Sequence, residues 1–314
     1  MSNHSHLRIG TRASPLAMAQ THQVRDLLVA AHPELARPGA IEILAMKTTG
    51  DMVLDRTLAE VGGKGLFTKE LDEAMLDGRI DIAVHSSKDV ATVLPDGIVL
   101  PCILPREDPR DAFVCLKADS LAALPAGAVV GTASLRRGAQ ILWRRPDLKV
   151  VPLRGNVQTR LRRLEEGAVD ATLLALAGLR RLGMARHATA VLTPEEMLPA
   201  VAQGAIGITC RGDDAAARRW LEALNDAPSA TRVAAERALL AVLDGSCRTP
   251  IAALAEFEGD ILRLRGLVIR PDGSQAHFAE RRGDPAQAAA MGADAGAELL
   301  ARAGPGFFDF KSGA

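Results

Sequence analysis

The chain has 314 residues, with 38 basic and 38 acidic side chains, so its formal net charge at pH 7 is zero. This length exceeds one hydrophobic core and predicts two or three domains. The balanced charge argues against a nucleic-acid or membrane partner, and so does an aromatic content of 3% without tyrosine. The sequence has no stretch of ~18 apolar residues and no N-terminal signal pattern, so we expect a cytoplasmic protein.

Short apolar runs alternate with amphipathic segments as far as about residue 225. This alternation favours an α/β fold with mostly parallel sheets. Ser14 and Pro15 have the pattern of a helix cap and first helical residue, and further helices are predicted at 67–76, 134–143 and 156–166. The predicted strands are 6–10, 41–47, 81–85, 128–132, 148–154, 170–175 and 205–210.

The last third of the chain has a different pattern. A long helix (231–245) is followed by a hairpin around RPDGS and an alanine-rich helix near 284–302. The proline-rich segment 98–113 interrupts the α/β alternation, and 197–207 is the expected return crossing. The predicted organisation is a discontinuous α/β domain 1 (1–104 and 200–226), an arginine-rich α/β domain 2 (105–199) and a small α+β domain 3 (227–314).

Hydroxyl and cationic side chains follow four of the predicted strands. Ligands of open α/β sheets bind at the carboxyl ends of the strands, where helix N–H groups also attract anions. Because the arginine fork suits carboxylates and phosphates, the pattern predicts a small polyanionic ligand. The strand ends supply Arg12, Ser14, Ser86, Ser87, Lys88, Asp89, Ser134, Arg136, Arg137, Arg154, Asn156 and Arg160.

The basic residues between Thr132 and Arg163 also allow other interpretations. Asp147 is the one acid in that stretch. A solvated helix face explains Arg144, Arg145, Arg162 and Arg163 taken alone. A nucleic-acid footprint is a further alternative, which the zero net charge and the few aromatic residues weaken.

Asp89 is the acid among these strand-end cations. It could simply pair with Lys88 or an arginine. The alternative is a catalytic carboxylate that accepts N–H bonds and stabilises a cation formed during a reaction. The neighbouring His85 and Ser86 do not form the G-x-S-x-G elbow of a hydrolase, and we interpret His85 as structural.

Cys247 differs from the other three cysteines. Cys102, Cys115 and Cys210 lie in apolar stretches and are explained as small buried hydrophobes. Cys247 lies in a polar turn beside Arg248, where solvent access and thiolate stabilisation are both feasible. From the residues alone, a plain packing or surface role is equally open. Because no CxxC or Cys/His spacing is present, no metal site is expected.

Motifs along nearly the whole chain resemble the porphobilinogen deaminase family, also called hydroxymethylbilane synthases. This resemblance implies three domains, the first two similar to periplasmic binding proteins with the active site in a cleft between them. It also implies a dipyrromethane cofactor, which a thioether joins to a cysteine of the third domain. The matching motifs are IGTRASPLA (9–17), GGKGLFTKELD (62–72), VHSSKDV (84–90), REDPRDAF (106–113), GTASLRR (131–137), LRGNVQTRL (153–161), DATLLALAGLRRL (170–182), PAVAQGAIGI (199–208) and GSCRTPIAA (245–253).

The implied activity is that of a transferase in tetrapyrrole biosynthesis, the route to haem- and chlorophyll-type products. Four porphobilinogen molecules are condensed with release of ammonia onto the dipyrromethane primer, and hydrolysis releases hydroxymethylbilane. Cys247 matches the attachment cysteine and Asp89 the catalytic aspartate, while Lys64 and Phe67 belong to a candidate lid. The residues implied to bind cofactor or substrate are Arg12, Ser14, Gln20, Ser86, Lys88, Thr132, Ser134, Arg136, Arg137, Arg154, Arg160 and Gln203.

Two positions depart from the common family pattern. Ala91 stands where proline is common after HSSKDV, and Ser246 makes the cysteine motif GSC where GGC is common. Neither change removes a reacting group. Apart from porphobilinogen we expect no partner, whether nucleic acid or membrane, and we expect a monomer.

Overall fold

The structure is a computed structural model, and it describes residues 6–52, 67–243 and 249–308. Cys247 and Lys64 therefore lie outside the described residues. The chain divides into two compact units. Within the described residues, unit 1 contains 6–52, 67–107 and 205–230, and unit 2 contains 108–204, 231–243 and 249–308. The three-domain boundaries expected from the sequence stay a prediction.

The described residues form strands and helices along the whole chain. The strands are β1 (Leu7–Arg12), β2 (Ile41–Met46), β3 (Ile82–Ser86), β4 (Ile98–Ile103), β5 (Asp111–Cys115), β6 (Val129–Gly131), β7 (Lys149–Val151), β8 (Ala171–Ala175), β9 (Ala190–Val191), β10 (Ile206–Arg211), β11 (Ile251–Glu258), β12 (Ile261–Ile269) and β13 (Ala276–Gly283). The helices are α1 (Pro15–Ala31), α2 (Thr49–Met52), α3 (Lys69–Leu76), α4 (Leu135–Arg144), α5 (Val157–Glu165), α6 (Leu176–Arg181), α7 (Ala215–Glu222), α8 (Ala227–Val242) and α9 (Ala288–Ala303).

Unit 1 is built on a five-stranded sheet in the order β2-β1-β3-β10-β4. Strand β1 runs parallel to β2 and β3, whereas β10 runs antiparallel to β3 and β4. Fully buried Leu7 and Ile9 of β1 pack with Val24 and Leu28 of α1 in its core. Because β1 and β3 are parallel neighbours, their last residues, Arg12 and Ser86, lie at the same edge of the sheet.

Unit 2 repeats this arrangement and adds a second sheet. Its five-stranded sheet has the order β7-β6-β8-β5-β9, in which β6 is parallel to β7 and β8 while β5 is antiparallel to β8 and β9. The remaining strands form an antiparallel sheet in the order β11-β12-β13, against which α9 packs. Fully buried Phe113 and Leu173 lie in the core of the larger sheet.

The α/β class with a small C-terminal α+β part is confirmed, and each strand predicted from the sequence is present. The expectation of mostly parallel sheets is wrong, because β10 and β5 each insert antiparallel between two neighbours. The proline-rich segment 98–113 also contains β4 and the start of β5, which the pattern does not predict. Pro101 is tolerated in β4 because that strand lies at the edge of its sheet.

The cap predicted for α1 is also confirmed. Ser14 Oγ accepts a hydrogen bond of 3.3 Å from the backbone N–H of Ala17, and Pro15 is the first helical residue. Ser134 and Asn156 cap α4 and α5 in the same way, accepting from the N–H groups of Arg137 and Thr159. The chain is therefore fixed at the three points where these helices leave the strand ends.

A close helix contact in unit 2 gives a test of this packing. Gly292 of α9 lies so near α8 that an added Cβ would overlap the carbonyl oxygen of Ala235. We expect Gly292→Ala to lower the free energy of unfolding by about 1–3 kcal/mol, measured by urea denaturation, because two helices must move apart. The matched change Gly138→Ala in α4 places a Cβ 3.2 Å from a Val150 methyl group, which can adjust, and we expect an effect below about 1 kcal/mol. Equal effects of the two changes would contradict this packing.

Candidate functional site

Unit 1 brings Arg12 and Asp89 together at the shared edge of β1 and β3. Arg12 is the last residue of β1, and Asp89 ends the short 3₁₀ turn Ser87–Asp89 that follows β3. Arg12 Nη1 lies 3.4 Å from Asp89 Oδ2, and the two side chains are 21% and 22% exposed. The pair is therefore sheltered and still accessible to a ligand.

An aromatic ring covers the guanidinium of Arg12. The centroid of the Phe67 ring lies 4.3 Å from Arg12 Cζ, within the range of a cation–π contact. The ring lies against Gly50, where an added Cβ would overlap it. Phe67 was predicted from the resemblance as part of a lid, and in this structure it restrains Arg12.

A second polar pair lies at the same edge of the sheet. Gln20 on α1 is 2% exposed, and its Nε2 donates a 3.0 Å hydrogen bond to Ser86 Oγ at the end of β3. Ser14 is committed to capping α1, and Lys88 lies between Ser87 and Asp89 in the 3₁₀ turn. The residues predicted in this part of the chain therefore lie on adjoining strand ends and on the helix between them.

His85 lies one residue before this edge and faces the interior. It is 5% exposed, and its Nε2 lies 2.9 Å from Thr209 Oγ1 on the neighbouring β10. Burial, and to a smaller extent the charge of Arg12, lower the pKa of His85 to about 4. A histidine that stays neutral and hydrogen-bonded fits the structural role inferred from the sequence.

Unit 2 assembles its predicted residues around a buried carboxylate, Asp111, at the start of β5. Asp111 is fully buried, and both Arg136 and Arg137, in the first turn of α4, are 5% exposed. Arg136 Nη2 donates to Asp111 Oδ2 at 2.8 Å, and Arg137 Nη2 donates to Oδ1 at 2.7 Å. Burial alone would raise the pKa of Asp111, but the two guanidiniums outweigh it and hold that pKa well below its usual range.

Three further predicted residues lie close to this ion-pair cluster. Gln203 is 1% exposed and donates from Nε2 to Asp111 Oδ1 at 2.9 Å. Thr132 Oγ1 accepts a 3.1 Å bond from the N–H of Ser134, which in turn caps α4. The bonds of Thr132 and Ser134 fix the segment between β6 and the first turn of α4, where Arg136 and Arg137 lie.

Arg160 on α5 adds positive charge near the same place. Its Nε donates to the carbonyl of Gly155 at 2.9 Å, and Gly155 has the positive φ of 108° that favours glycine. Burial lowers the pKa of Arg160 to about 10, with contributions from the positive charges of Arg137 and Arg154. Since these cations repel one another, a bound polyanion would be stabilised here, and the carboxylates of a dipyrromethane fit that requirement.

Those predicted residues that the structure describes lie in one set in each unit, and Cys247 and Lys64 are outside the described residues. Asp111 is a contact of the unit 2 set that sequence reasoning missed. Its signal lay in the motif REDPRDAF, where an acid directly precedes the apolar run of β5. The buried cysteine roles are confirmed for Cys102, Cys115 and Cys210. In the described ranges no cluster of acids, histidines and cysteines could hold a metal, and no helix has the length and apolar character needed to cross a bilayer.

The mixed α/β sheets place cationic side chains and the partly exposed Asp89 at strand ends, an arrangement that can hold an anion. Comparison with family profiles identifies the family of the chain. Residues 7–219 match the profile described as "Porphobilinogen deaminase, dipyromethane cofactor binding domain", and residues 230–301 match the C-terminal domain of the same enzymes. The chain belongs to the porphobilinogen deaminase family, whose members are transferases.

Two relatives named porphobilinogen deaminase are similar to this chain over almost its full length. The chloroplastic porphobilinogen deaminase of Oryza sativa subsp. japonica is 63% identical, covering 96% of this chain and 86% of its own. The porphobilinogen deaminase of Paracoccus denitrificans is 59% identical and covers 97% of both chains. A periplasmic substrate-binding protein of an ABC transporter from Coxiella burnetii is 17% identical with a TM-score of 0.43, covering 71% of this chain and 93% of its own. That last similarity is too weak to add to the strand order described above.

The buried His85 predicts a specific pH dependence of stability. Its pKa of about 4 lies below the ~6.5 of an exposed histidine, so the unfolded chain binds a proton more readily. The contribution of neutral His85 to the free energy of unfolding, roughly 3 kcal/mol, is fully present above about pH 6.5 and is lost as the pH falls to 4. Urea denaturation between pH 4 and 7 should show this slope, and His85→Gln, which can still bond Thr209, should flatten it. An unchanged slope in the variant would contradict the assignment.

Proposed function

We propose that this protein condenses four porphobilinogen molecules head to tail, with release of ammonia, and releases the linear tetrapyrrole hydroxymethylbilane by hydrolysis. The observation that carries this proposal is the Arg12–Asp89 pair at the edge of the unit 1 sheet, in a chain of the porphobilinogen deaminase family. We further propose that the protein works as a cytoplasmic monomer, with no nucleic acid or membrane as partner. A sedimentation experiment giving the mass of one chain would support the monomer.

Asp89 is the group that we assign to the chemistry. Its carboxylate is held by Arg12 and remains partly exposed, so a substrate pyrrole can donate its N–H to it. As ammonia leaves porphobilinogen, positive charge develops on the pyrrole, and a nearby fixed carboxylate stabilises that charge. Phe67 and Asp89 both restrain the Arg12 guanidinium, which limits the movement of the ion pair.

The remaining predicted residues bind and orient. Porphobilinogen and a dipyrromethane both carry acetate and propionate groups, which arginine forks grip through paired, charge-assisted hydrogen bonds. We assign this task to Arg136, Arg137, Arg154 and Arg160 of unit 2, and to Arg12, Ser14, Gln20, Ser86 and Lys88 of unit 1. Thr132, Ser134 and Gln203 complete the set in unit 2. We propose that Lys64, with Phe67, covers the bound substrate.

Cys247 is the proposed attachment point of the dipyrromethane, through a thioether. When bound, this cofactor supplies the pyrrole carbon to which the first porphobilinogen is joined. A thiolate is the nucleophile expected for such an attachment, and Arg248 beside it in the sequence favours the thiolate form. An anion bound near Arg160 would offset the repulsion among the charges of Arg137, Arg154 and Arg160, which fits a cofactor with several carboxylates.

Intact-protein mass spectrometry tests the attachment. Freshly purified protein should exceed the mass of its sequence by two porphobilinogen units minus their ammonia. Cys247→Ser should lack this excess, because its hydroxyl is a far weaker nucleophile. Cys115→Ser, a buried cysteine, is the matched control and should retain the excess. An unmodified mass that persists after incubation with porphobilinogen would refute the proposed attachment.

Turnover of an Asp89 variant tests the chemistry. We expect Asp89→Ala to lower the rate of hydroxymethylbilane formation at least ~10²-fold, because a positioned charge-stabilising group is lost. The assay follows porphyrin absorbance after oxidation of the product. Asp77→Ala removes an exposed acid of the same unit and should leave the rate nearly unchanged. Circular dichroism should show both variants folded, and near-normal turnover by Asp89→Ala would exclude the proposed role.

A further inference from the structure

Asp111 is a completely buried carboxylate to which the proposed reaction gives no part. It is the first residue of β5, the strand that lies between β8 and the edge strand β9 in the larger unit 2 sheet. Its partners are three of the proposed ligand-binding residues, Arg136, Arg137 and Gln203. One side chain thus contacts a quarter of the proposed binding set.

The two oxygens of Asp111 serve different partners. Oδ1 accepts from Arg137 Nε at 3.2 Å, from Arg137 Nη2 at 2.7 Å and from Gln203 Nε2 at 2.9 Å. Oδ2 accepts from Arg136 Nη2 at 2.8 Å. This division means that the two oxygens can be tested separately.

Backbone carbonyls complete the restraint of both arginines. Arg136 Nη1 donates to Leu198 O at 2.7 Å, and Arg137 Nη1 donates to Leu173 O at 2.9 Å. A guanidinium has five N–H donors, of which these contacts use two on Arg136 and three on Arg137. Each arginine is thus fixed in orientation and keeps N–H donors beyond those that hold it.

Charge gives a second reason for a carboxylate at this position. Two buried guanidiniums without an acid would carry a large desolvation cost, and one carboxylate offsets part of it. The cluster keeps an excess of one positive charge, to which Arg160 adds another. The cluster therefore stays folded before a ligand arrives and still attracts an anion.

We propose that Asp111 is a positioning residue for carboxylate binding, which orients the Arg136 and Arg137 guanidiniums toward the carboxylates of porphobilinogen. The inference rests on the proposed function and deepens it. Asp111 acts through the arginines and does not itself touch the substrate, since an acid there would repel a carboxylate.

Asparagine at position 111 separates orientation from packing. Its side chain has nearly the shape of aspartate, but one oxygen becomes an NH₂ group. If the remaining oxygen keeps Arg137 and Gln203, the NH₂ group faces Arg136 Nη2, and two donors meet. Asp111→Asn therefore releases Arg136 with little change in volume.

The experiment is a double-mutant cycle on the full-length holoenzyme, with Asp111→Asn, Arg136→Gln and the double variant. Turnover is normalised to the fraction of molecules that carry the primer, read from intact mass. We expect Asp111→Asn to raise KM for porphobilinogen at least ~10-fold while kcat changes less than ~3-fold. Because Asp111→Asn releases Arg136 and keeps Arg137, adding it to Arg136→Gln should change KM less than ~2-fold.

A purely structural role predicts a different result. Asp81→Asn is the matched control, because it removes a largely buried carboxylate paired with Arg8 in unit 1, away from the proposed site. It should lower the melting temperature and leave KM unchanged. If folded Asp111→Asn behaves like this control, with KM as in the unmodified enzyme, the proposal is overturned.

Two further outcomes are decisive. If Asp111→Asn does not fold, the double variant, which removes both partners of a buried pair, is compared with Arg136→Gln alone. Equal KM values support the proposal, and a difference above ~10-fold overturns it. If the unmodified protein does not consume porphobilinogen, the proposed function itself fails, whereas normal turnover with an unaffected variant refutes only the role of Asp111.

Discussion

Parallel pairing of the second and third strands along each large sheet is the constraint on which the candidate site depends. In unit 1 this pairing places the carboxyl ends of β1 and β3 side by side, so that Arg12 and Asp89 meet although they are 77 positions apart in the chain. In unit 2 the same relation between β6 and β8 sets the start of α4 over the sheet. Short helix caps at Ser14 and Ser134 then fix where the chain leaves each strand.

Much of this could be predicted from the sequence because the signals are local. Apolar runs marked the parallel strands, and Ser–Pro marked the start of α1. The mixed character of the sheets could not be predicted, because an apolar strand looks the same whichever direction its neighbours run. Strand β4 was not predicted because it contains Pro101, which cannot donate a ladder hydrogen bond. Proline is tolerated in an edge strand, and only the assembled sheet shows that β4 is one.

The candidate site shows the same division between local and assembled information. Strand-end cations were visible in the sequence because they follow apolar runs directly. The charges around these cations could not be predicted from the sequence, because Asp111 binds Arg136 and Arg137, which lie 25 and 26 positions away in the chain. A motif match predicts which arginines bind a ligand, while only the packed structure shows which of them other residues of the protein hold in place. Here two are fixed by a buried carboxylate, and Arg160 lies among other cations.

The position of β10 has a consequence for the order in which the protein is made. This strand lies inside the unit 1 sheet, between β3 and β4, yet it is encoded after every strand of the larger unit 2 sheet. During synthesis β4 therefore has no sheet to join until residues 206–211 have left the ribosome. The unit 2 strands β5 to β9 form one continuous stretch and can pair first. The sheet of unit 1 can therefore be completed only after the unit 2 strands have been made, and until then β3 has an unpaired edge.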